Sequence, residues 1–560
     1  MTADRQTTTT WVHLLVIAAV TFVAYSDSFD GGFVSDDKVS VVQKESIRSL
    51  DVEHLVKIFT TFDDSNFIPV KVLTIAIDYH FWGLNPVGYH ITNLVLHIAC
   101  AFVVYLLLLR LDLPPPAALL TSLLWAVHPV QVESVAWISE RKNVLSALFF
   151  FAAFFAYIGF SARPSLWRYL GTFALLALAL LSKMNTMVLP AICLAYEWTF
   201  RQRLRWRDVA AVVPMLVLGG AVAYFNLVGN PIHGTSWHGG SMIVSWFSSF
   251  VVIFRYFGKI ILPLDLRSGY DVPLRGSLLD PPVLAATVGL VLLAGLTIWL
   301  LGRRRREAFW ILWFAICLAP MLNILVPFRA MMQDRFLHMA LLGPLALVAS
   351  VTMRFGSARV RQLVGGAGIV AVGLCTILSY QQVQTWRNPL ELWKPLGLNY
   401  ALFAGQPGVY RPPDYEERVA FLERELAREP LAPILNNNLG TTVYSVGDIA
   451  RALPLYERAA RLAPTTPAIL ANLANAYTHS QRAVEALPHA KRAAALAPHM
   501  FVVQYTLLRT ALMAGDADVA RRALTACEYI RPGPTSARYL QNERAYLERL
   551  EADRLARNAS

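Results

Sequence analysis

For roughly its first two-thirds this chain alternates long apolar blocks with short polar stretches. A helix needs roughly 20 apolar residues to cross the hydrocarbon of a bilayer. The blocks predict about eleven spanning helices, at 11–27, 89–111, 117–128, 143–160, 166–182, 184–199, 209–227, 283–301, 308–325, 335–353 and 363–380. From about residue 414 the pattern changes to Ala-, Leu- and Arg-rich amphipathic sequence. Pro430, Pro464, Pro498 and Pro532 are each 34 residues apart. Gly447 and Gly515 stand two such periods apart, with Gln481 midway. Gly440, Ala474 and Leu508 keep the register, as do Ala452, Ala486 and Ala520, and Ala459, Ala493 and Cys527. A 34-residue period with Leu439–Gly440, Tyr456 and a closing proline is the tetratricopeptide pattern of paired antiparallel helices. Three repeats fit, 433–466, 467–500 and 501–534, with a lead-in helix over 413–429 and a capping helix over 535–557. The expected fold class is therefore all-α: a polytopic membrane bundle over 1–383, a linker and lead-in over 384–432, the repeats, and a capping helix and tail over 535–560.

Composition agrees with this division. Of 560 residues, 56% are hydrophobic and only 16% charged, too apolar for a soluble chain of this size. The net charge of +12 does not point to nucleic acid, because many of the arginines sit in short loops between apolar blocks. Arg110, Arg163 and Arg168, Arg201 to Arg207, Arg303 to Arg306, and Arg354 to Arg361 fall on alternate loops. Positive charge stays on the cytoplasmic side, so the N-terminus is expected inside and the repeats outside. Residues 11–27 show no cleavage signature and read as a retained helix. Residues 242–262 are apolar enough to span but carry Arg255 and Lys259, and a span there would put the four-arginine loop outside. They read as an interfacial or re-entrant helix. The five cysteines are scattered and suggest no disulfide framework or metal site.

On the expected outer side, polar groups gather among Trp, Val and Ile. Ionisable residues at membrane depth are costly and mark functional sites by default. The first loop carries the adjacent carboxylates Asp36 and Asp37, then Lys38, Lys71 and Asp78. The second is HPVQVESVAWISERKN, from His128 to Asn143. The third is SKMN, with Lys183; later come His233, His238, LPLDLRSGYD and FRAMMQDR. If 128–143 is one helix, Glu133, Trp137 and Arg141 share a face. Arg141 then either pairs internally with Glu133, or Arg141 or Lys142 holds a phosphate that Glu133 orients. Lys183 either snorkels or holds a lipid phosphate. Asp334–Arg335 reads as an acidic helix start. His90 and His97, on one helix face with Asn93 between them, read as hydrogen-bonded to neighbouring helices, and no structural zinc is expected.

The strings WGLNPVGYHITNLVLH (82–97), HPVQVESVAWISERKNVLS (128–146), LLSKMNTMVLP (180–190) and DRFLHMALLGPL (334–345), with the repeats behind them, carry a resemblance. Together they look like bacterial relatives of the transmembrane and tetratricopeptide-repeat protein O-mannosyltransferases, within the GT-C class of polyprenyl-phosphate-sugar-dependent glycosyltransferases. QTWRNPLELWKPL (384–396) resembles that family's link from membrane to repeats. The resemblance implies an acidic pair in the first outer loop, matched by Asp36 and Asp37, with one carboxylate as general base toward a Ser or Thr hydroxyl. Asp36 is the expected base and Asp37 its orienting partner. Arg141, Lys142, Lys183 and Arg335 are the expected cations for the donor phosphate, with His128, Glu133 and Asp334 orienting them. The implied donor is a polyprenyl-phosphate sugar, mannose first. No cofactor is required, although a divalent metal at Asp36–Asp37 is an alternative. The implied partners are the lipid-linked sugar and an acceptor protein or peptide, with the repeats as one route to the acceptor, and the implied location is a bacterial inner membrane. Where relatives carry an Arg-Pro-Leu string this chain has PVKV, with Lys71, which leaves that loop's role open. Two other readings stand beside this one: a catalytically silent membrane-anchored scaffold, and a transferase acting on a glycan or lipid. A transporter is disfavoured, since no broken helix pair marks a midplane site in both halves.

Overall fold

Proline opens many of the helices. Pro69, Pro86, Pro115 and Pro281 stand in the first turn of theirs, where a missing N–H costs nothing and the fixed φ suits a helix. Apolar runs then carry each helix forward. The computed structural model describes residues 3–63, 66–228, 237–238, 241–270, 272–328, 330–387, 407, 415–428, 430–498, 500–530 and 540–559. Among these there is no strand, only an isolated bridge between Asp63 and Asn66. His233, Asp271, Arg329 and most of 388–414 lie outside the described residues.

The chain divides into two compact units, Met1–Leu392 and Trp393–Ser560. The first contains α1 (Ala3–Tyr25), α2 (Val52–Thr60), α3 (Pro69–Trp82), α4 (Pro86–Arg110), α5 (Pro115–Val127), α6 (Val132–Ala136), α7 (Arg141–Ala162), α8 (Leu166–Leu180), α9 (Leu189–Thr199), α10 (Trp206–Val228), α11 (Met242–Ile261), α12 (Pro281–Gly302), α13 (Glu307–Leu318), α14 (Leu337–Ala340), α15 (Leu342–Phe355) and α16 (Ala358–Val383). Every segment expected to span carries helix. Seven helices among the described residues are long and apolar enough to cross a membrane, and a further pair, α14 and α15, makes an eighth if its 44° bend belongs to one span. The remaining expected spans are short: α5 has 13 residues, α8 15, α9 11 and α13 12. At 1.5 Å per residue they fall short of the roughly 30 Å hydrocarbon. The helices α5, α9 and α13 pack inside the bundle, around an aromatic core of Trp125, Phe150, Phe151, Phe154, Trp310 and Trp313, whereas much of α8, Leu166, Trp167 and Leu170 included, faces outward. Phe151 and Trp313 stack with centroids 6.0 Å apart.

One of the seven long apolar helices is α11. It is a single unbroken helix of 20 residues, not a re-entrant loop. Its hydrogen bonds nevertheless tie both of its halves to the same connector, the one that follows α13. Trp246 Nε1 donates to Ile324 O at 2.9 Å, and Tyr256 donates to Gln333 O at 3.0 Å. The chain after α11 turns back along it, so that Arg275 N–H meets Ser248 Oγ at 2.9 Å. A helix crossing the bundle would bring its two ends to opposite connectors. This geometry supports a helix lying across one end.

In the second unit, α17 (Tyr415–Arg428) precedes three helix pairs: α18 (Pro433–Ser445) with α19 (Ile449–Leu462), α20 (Pro467–His479) with α21 (Ala483–Leu496), and α22 (Phe501–Met513) with α23 (Ala517–Ile530). The helix α24 (Gln541–Ala559) follows. Equivalent helices begin 34 residues apart. Ala452, Ala486, Ala520, Ala459, Ala493 and Cys527 are all buried at the seams. The turn inside each pair needs a left-handed residue, supplied by Gly447, Gln481 and Gly515 at φ 92°, 61° and 76°.

Candidate active site

The site grows from the way the chain leaves α1. A tight turn over Ser26–Asp30 leads to Gly31, whose absent side chain would otherwise meet Ser28 O at 2.9 Å and His90 Nε2 at 3.1 Å. Ser35, at φ 49°, turns the backbone again. Asp36 and Asp37 then serve differently. Asp37 is fully buried. It accepts N–H groups from Val34 at 2.9 Å and Ser139 at 2.7 Å, and the Ser139 hydroxyl as well. Burial pushes its carboxyl up to about 6, against the pull of the Ser139 and Val34 donors and Lys71. Asp37 thereby fastens the first loop to the turn before α7. Both Asp37 oxygens are thus engaged by protein donors. Among the described residues no three His, Cys, Asp or Glu side chains gather into a metal-sized set. Asp36 is half-buried and lies within electrostatic reach of Arg335.

The 128–143 segment is not one helix. After α6, Trp137 adopts extended backbone (φ −83°, ψ 115°), and a single turn over Ile138–Glu140 leads into α7. Trp137 stacks on Trp386 with centroids 5.1 Å apart, which fixes the break. Glu133 and Arg141 therefore do not share a face. Glu133 pairs instead with Arg335, through the side chain and through the Arg335 backbone N–H at 2.8 Å. Arg335 also covers the Trp137 ring at 5.2 Å.

Glu140, which the sequence reading did not single out, is the centre of the cluster. Its carboxylate is 1% exposed. Lys142 Nζ lies 3.0 Å from it, Arg335 Nε 3.4 Å and Lys183 Nζ 3.9 Å. Asn143 donates to it at 2.6 Å and accepts from Lys183 through its amide oxygen. Burial lowers the Lys183 ammonium to about 8, with Glu140 holding it up. The three cationic side chains keep 21%, 16% and 16% of their surface exposed. They come from the start of α7, the loop after α8 and the turn before α14, and together they form a cradle around Glu140. A second ion cluster adjoins it. Asp63 takes Lys44 and the buried Lys71 at 2.7 Å each. Burial alone would raise Asp63, but Lys71 and Lys44 hold it at about 2. Lys71, whose role the sequence left open, is thus a structural cation behind Asp37 and Lys142.

Arg141, expected among the phosphate cations, stands elsewhere. It is fully buried and bonded to Asp78 at 2.5 Å, Asn93 Oδ1 at 2.6 Å, Tyr89 O at 2.9 Å and Thr74 O at 3.1 Å. Its guanidinium locks α3, α4 and α7 together and presents nothing to a ligand. His128 and Asp334, expected to orient the cations, support connectors instead. His128 Nε2 sits 3.0 Å from Ile260 O at the end of α11, and Asp334 takes the Tyr270 hydroxyl at 2.8 Å. His97 bonds Ala126 O at 2.8 Å, His238 bonds Phe328 O at 2.7 Å, and His90 packs beneath Gly31. Residues 384–387, expected to open the linker, close the first unit: Trp386 stacks on Trp137, and Arg387 pairs with Asp27 and, at 3.2 Å, with Asp30.

Fold and site together define an all-α, multi-pass membrane protein with an acid-and-cation cluster at one end of its bundle and a unit of repeated helix pairs. Comparison with known proteins narrows this class. The chain is 33% identical over 165 residues to the human protein O-mannosyl-transferase TMTC4, covering 26% of this chain and 22% of that protein. It is 28% identical over 200 residues to human protein O-mannosyl-transferase TMTC3, covering 33% of this chain and 21% of that protein. It is 28% identical over 233 residues to Drosophila melanogaster protein O-mannosyl-transferase Tmtc3, covering 35% and 25%. The chain is a relative of these proteins, and the match spans about a fifth to a quarter of their length. No family model matches it.

Proposed function

We propose that this chain is an integral-membrane glycosyltransferase that moves a sugar, mannose first, from a polyprenyl-phosphate donor to Ser or Thr hydroxyls of exported proteins. The reaction takes place at the outer face of a bacterial inner membrane. The observation that carries the proposal is the convergence of Lys142, Lys183 and Arg335 on one point, with Arg335 also within electrostatic reach of Asp36. The relatives' names supply the reaction class. The arginine-rich loops at the other end of the bundle supply the orientation.

A Ser or Thr hydroxyl is a poor nucleophile and needs a base within hydrogen-bond reach. Asp36 takes its proton as the oxygen attacks the anomeric carbon. The bond from that carbon to the phosphate oxygen breaks, and the phosphate keeps the electron pair. Its growing charge meets cations already in place, which lowers the barrier without reorganisation. A single displacement inverts the anomeric centre. Asp37 positions the loop, and the repeats present the acceptor polypeptide.

The test is transfer of radiolabelled mannose from polyprenyl-phosphate-mannose to envelope proteins in membranes carrying the wild-type chain or Asp36→Asn. A general base contributes about 10²- to 10⁴-fold, so the variant should lose at least about 100-fold. Equal incorporation removes Asp36 from the role of base. No incorporation from any lipid-linked sugar removes the transferase reading in favour of the scaffold.

A further inference from the structure

The centre of the cation cradle is occupied by the protein's own carboxylate. Glu140 is buried, with Lys142, Arg335 and Lys183 at 3.0, 3.4 and 3.9 Å. Glu133 holds Arg335 from the other side. An anion cradle built only for tight binding would leave its cations to the ligand. Here three positive groups face two internal negative ones, so the set carries one net positive charge before Asp36 is counted. That value matters because, on the donor reading above, the ligand changes charge during the reaction. The donor is a phosphodiester with one negative charge. Once the anomeric carbon–oxygen bond has broken, the lipid is left as a phosphomonoester, whose charge at pH 7 is about −1.5 to −2.

We propose that Glu140 is a built-in counter-anion that matches the cradle to the singly charged donor and drives out the doubly charged lipid phosphate left by transfer. It sits among the cations, where an added negative charge on the ligand meets its repulsion directly. The repulsion between unit charges a few ångströms apart is weak in water and several times stronger where water is largely excluded. The repulsion acts once on a diester and nearly twice on a monoester. Glu140 therefore affects release more than capture, and product departure often limits such enzymes.

The experiment measures the affinity of the full-length chain in nanodiscs for a ten-carbon isoprenyl monophosphate and for its methyl diester, by quenching of tryptophan fluorescence at pH 7.5. Glu140→Gln should raise the monoester-to-diester affinity ratio about tenfold over wild type, and in turnover it should become sensitive to inhibition by added monophosphate. Lys142→Gln, on a side chain that is 21% exposed, should lower the ratio by a similar factor. Glu140→Asp, which keeps the charge, should stay near the wild-type ratio. If Glu140→Gln does not fold, Glu140→Ala is the second neutral variant and should raise the ratio in the same way. A ratio that stays within twofold of wild type in every folded neutral variant overturns the proposal and leaves Glu140 a structural anchor. If the wild-type chain binds neither lipid, the donor reading itself fails.

Discussion

Arg141 and Arg335 carry the same charge and border the same turn, yet one is a bolt and the other faces the cradle. Arg141 has Asp78, Asn93 and two backbone carbonyls as partners and no exposed surface. Removing one partner of a buried ion pair leaves the other charge uncompensated and costs about 3–5 kcal/mol. Arg141→Met should therefore lower the thermal midpoint markedly, while the folded fraction binds an isoprenyl phosphate as wild type does; a loss of affinity at unchanged midpoint would return Arg141 to the site. Lys183 gives a prediction in pH. Its ammonium titrates at about 8, below the usual lysine value, because burial opposes its charge. It is positive below that pH and neutral above it, so affinity for the donor should fall as pH rises through about 8. Lys183→Arg should move that fall out of the measurable range, and a titration of donor affinity against pH checks it. The sequence displayed Asp36, Asp37, Lys142, Lys183 and Arg335 as polar residues out of place among apolar ones. Glu140 hid in a charged run whose members looked alike. Asp63 and Lys44 gave no signal, since their partnership depends on a loop path that no local pattern encodes.

At the scale of elements, the repeats were legible because their register is local. Each helix pair repeats the same small residues at the same seams, and the structure buries them all. The register also exposes an imperfection. Gln481 holds the left-handed turn that Gly447 and Gly515 hold elsewhere. A side chain in that region costs about 1–2 kcal/mol. Gln481→Gly should stabilise the repeat unit by about 1 kcal/mol, seen as slower proteolysis of the full-length chain under partial denaturation. The break at Trp137 was not legible. A helical spacing from Glu133 to Arg141 was present, but the backbone turn there follows from stacking on Trp386, far along the chain. The short helices α5, α8, α9 and α13 show the same limit: hydropathy marks where a helix is apolar, and the tertiary turns decide how long it runs.

At the scale of the whole molecule, whether α11 lies across one end or crosses decides which connectors share a side. The cysteines described in the structure are all buried, so single reporters can be introduced against them. Glu45→Cys and Ser277→Cys should react with a membrane-impermeant maleimide from one side of sealed vesicles, and Gln202→Cys from the other. Ser277→Cys reacting together with Gln202→Cys would mean that α11 spans. The bundle also closes on itself. Arg387, just beyond the last helix of the first unit, pairs with Asp27, 360 residues earlier and at the end of the first helix. Trp386 beside it fixes the turn that carries Glu140. A ribosome makes these partners in order, roughly tens of seconds apart at about 5–20 residues per second. The acidic loop emerges early and must wait, unfinished, until almost four hundred residues have been threaded into the bilayer. A chain ended between Arg335 and Trp386 would own every charged group of the cradle and still lack the ring that sets its turn.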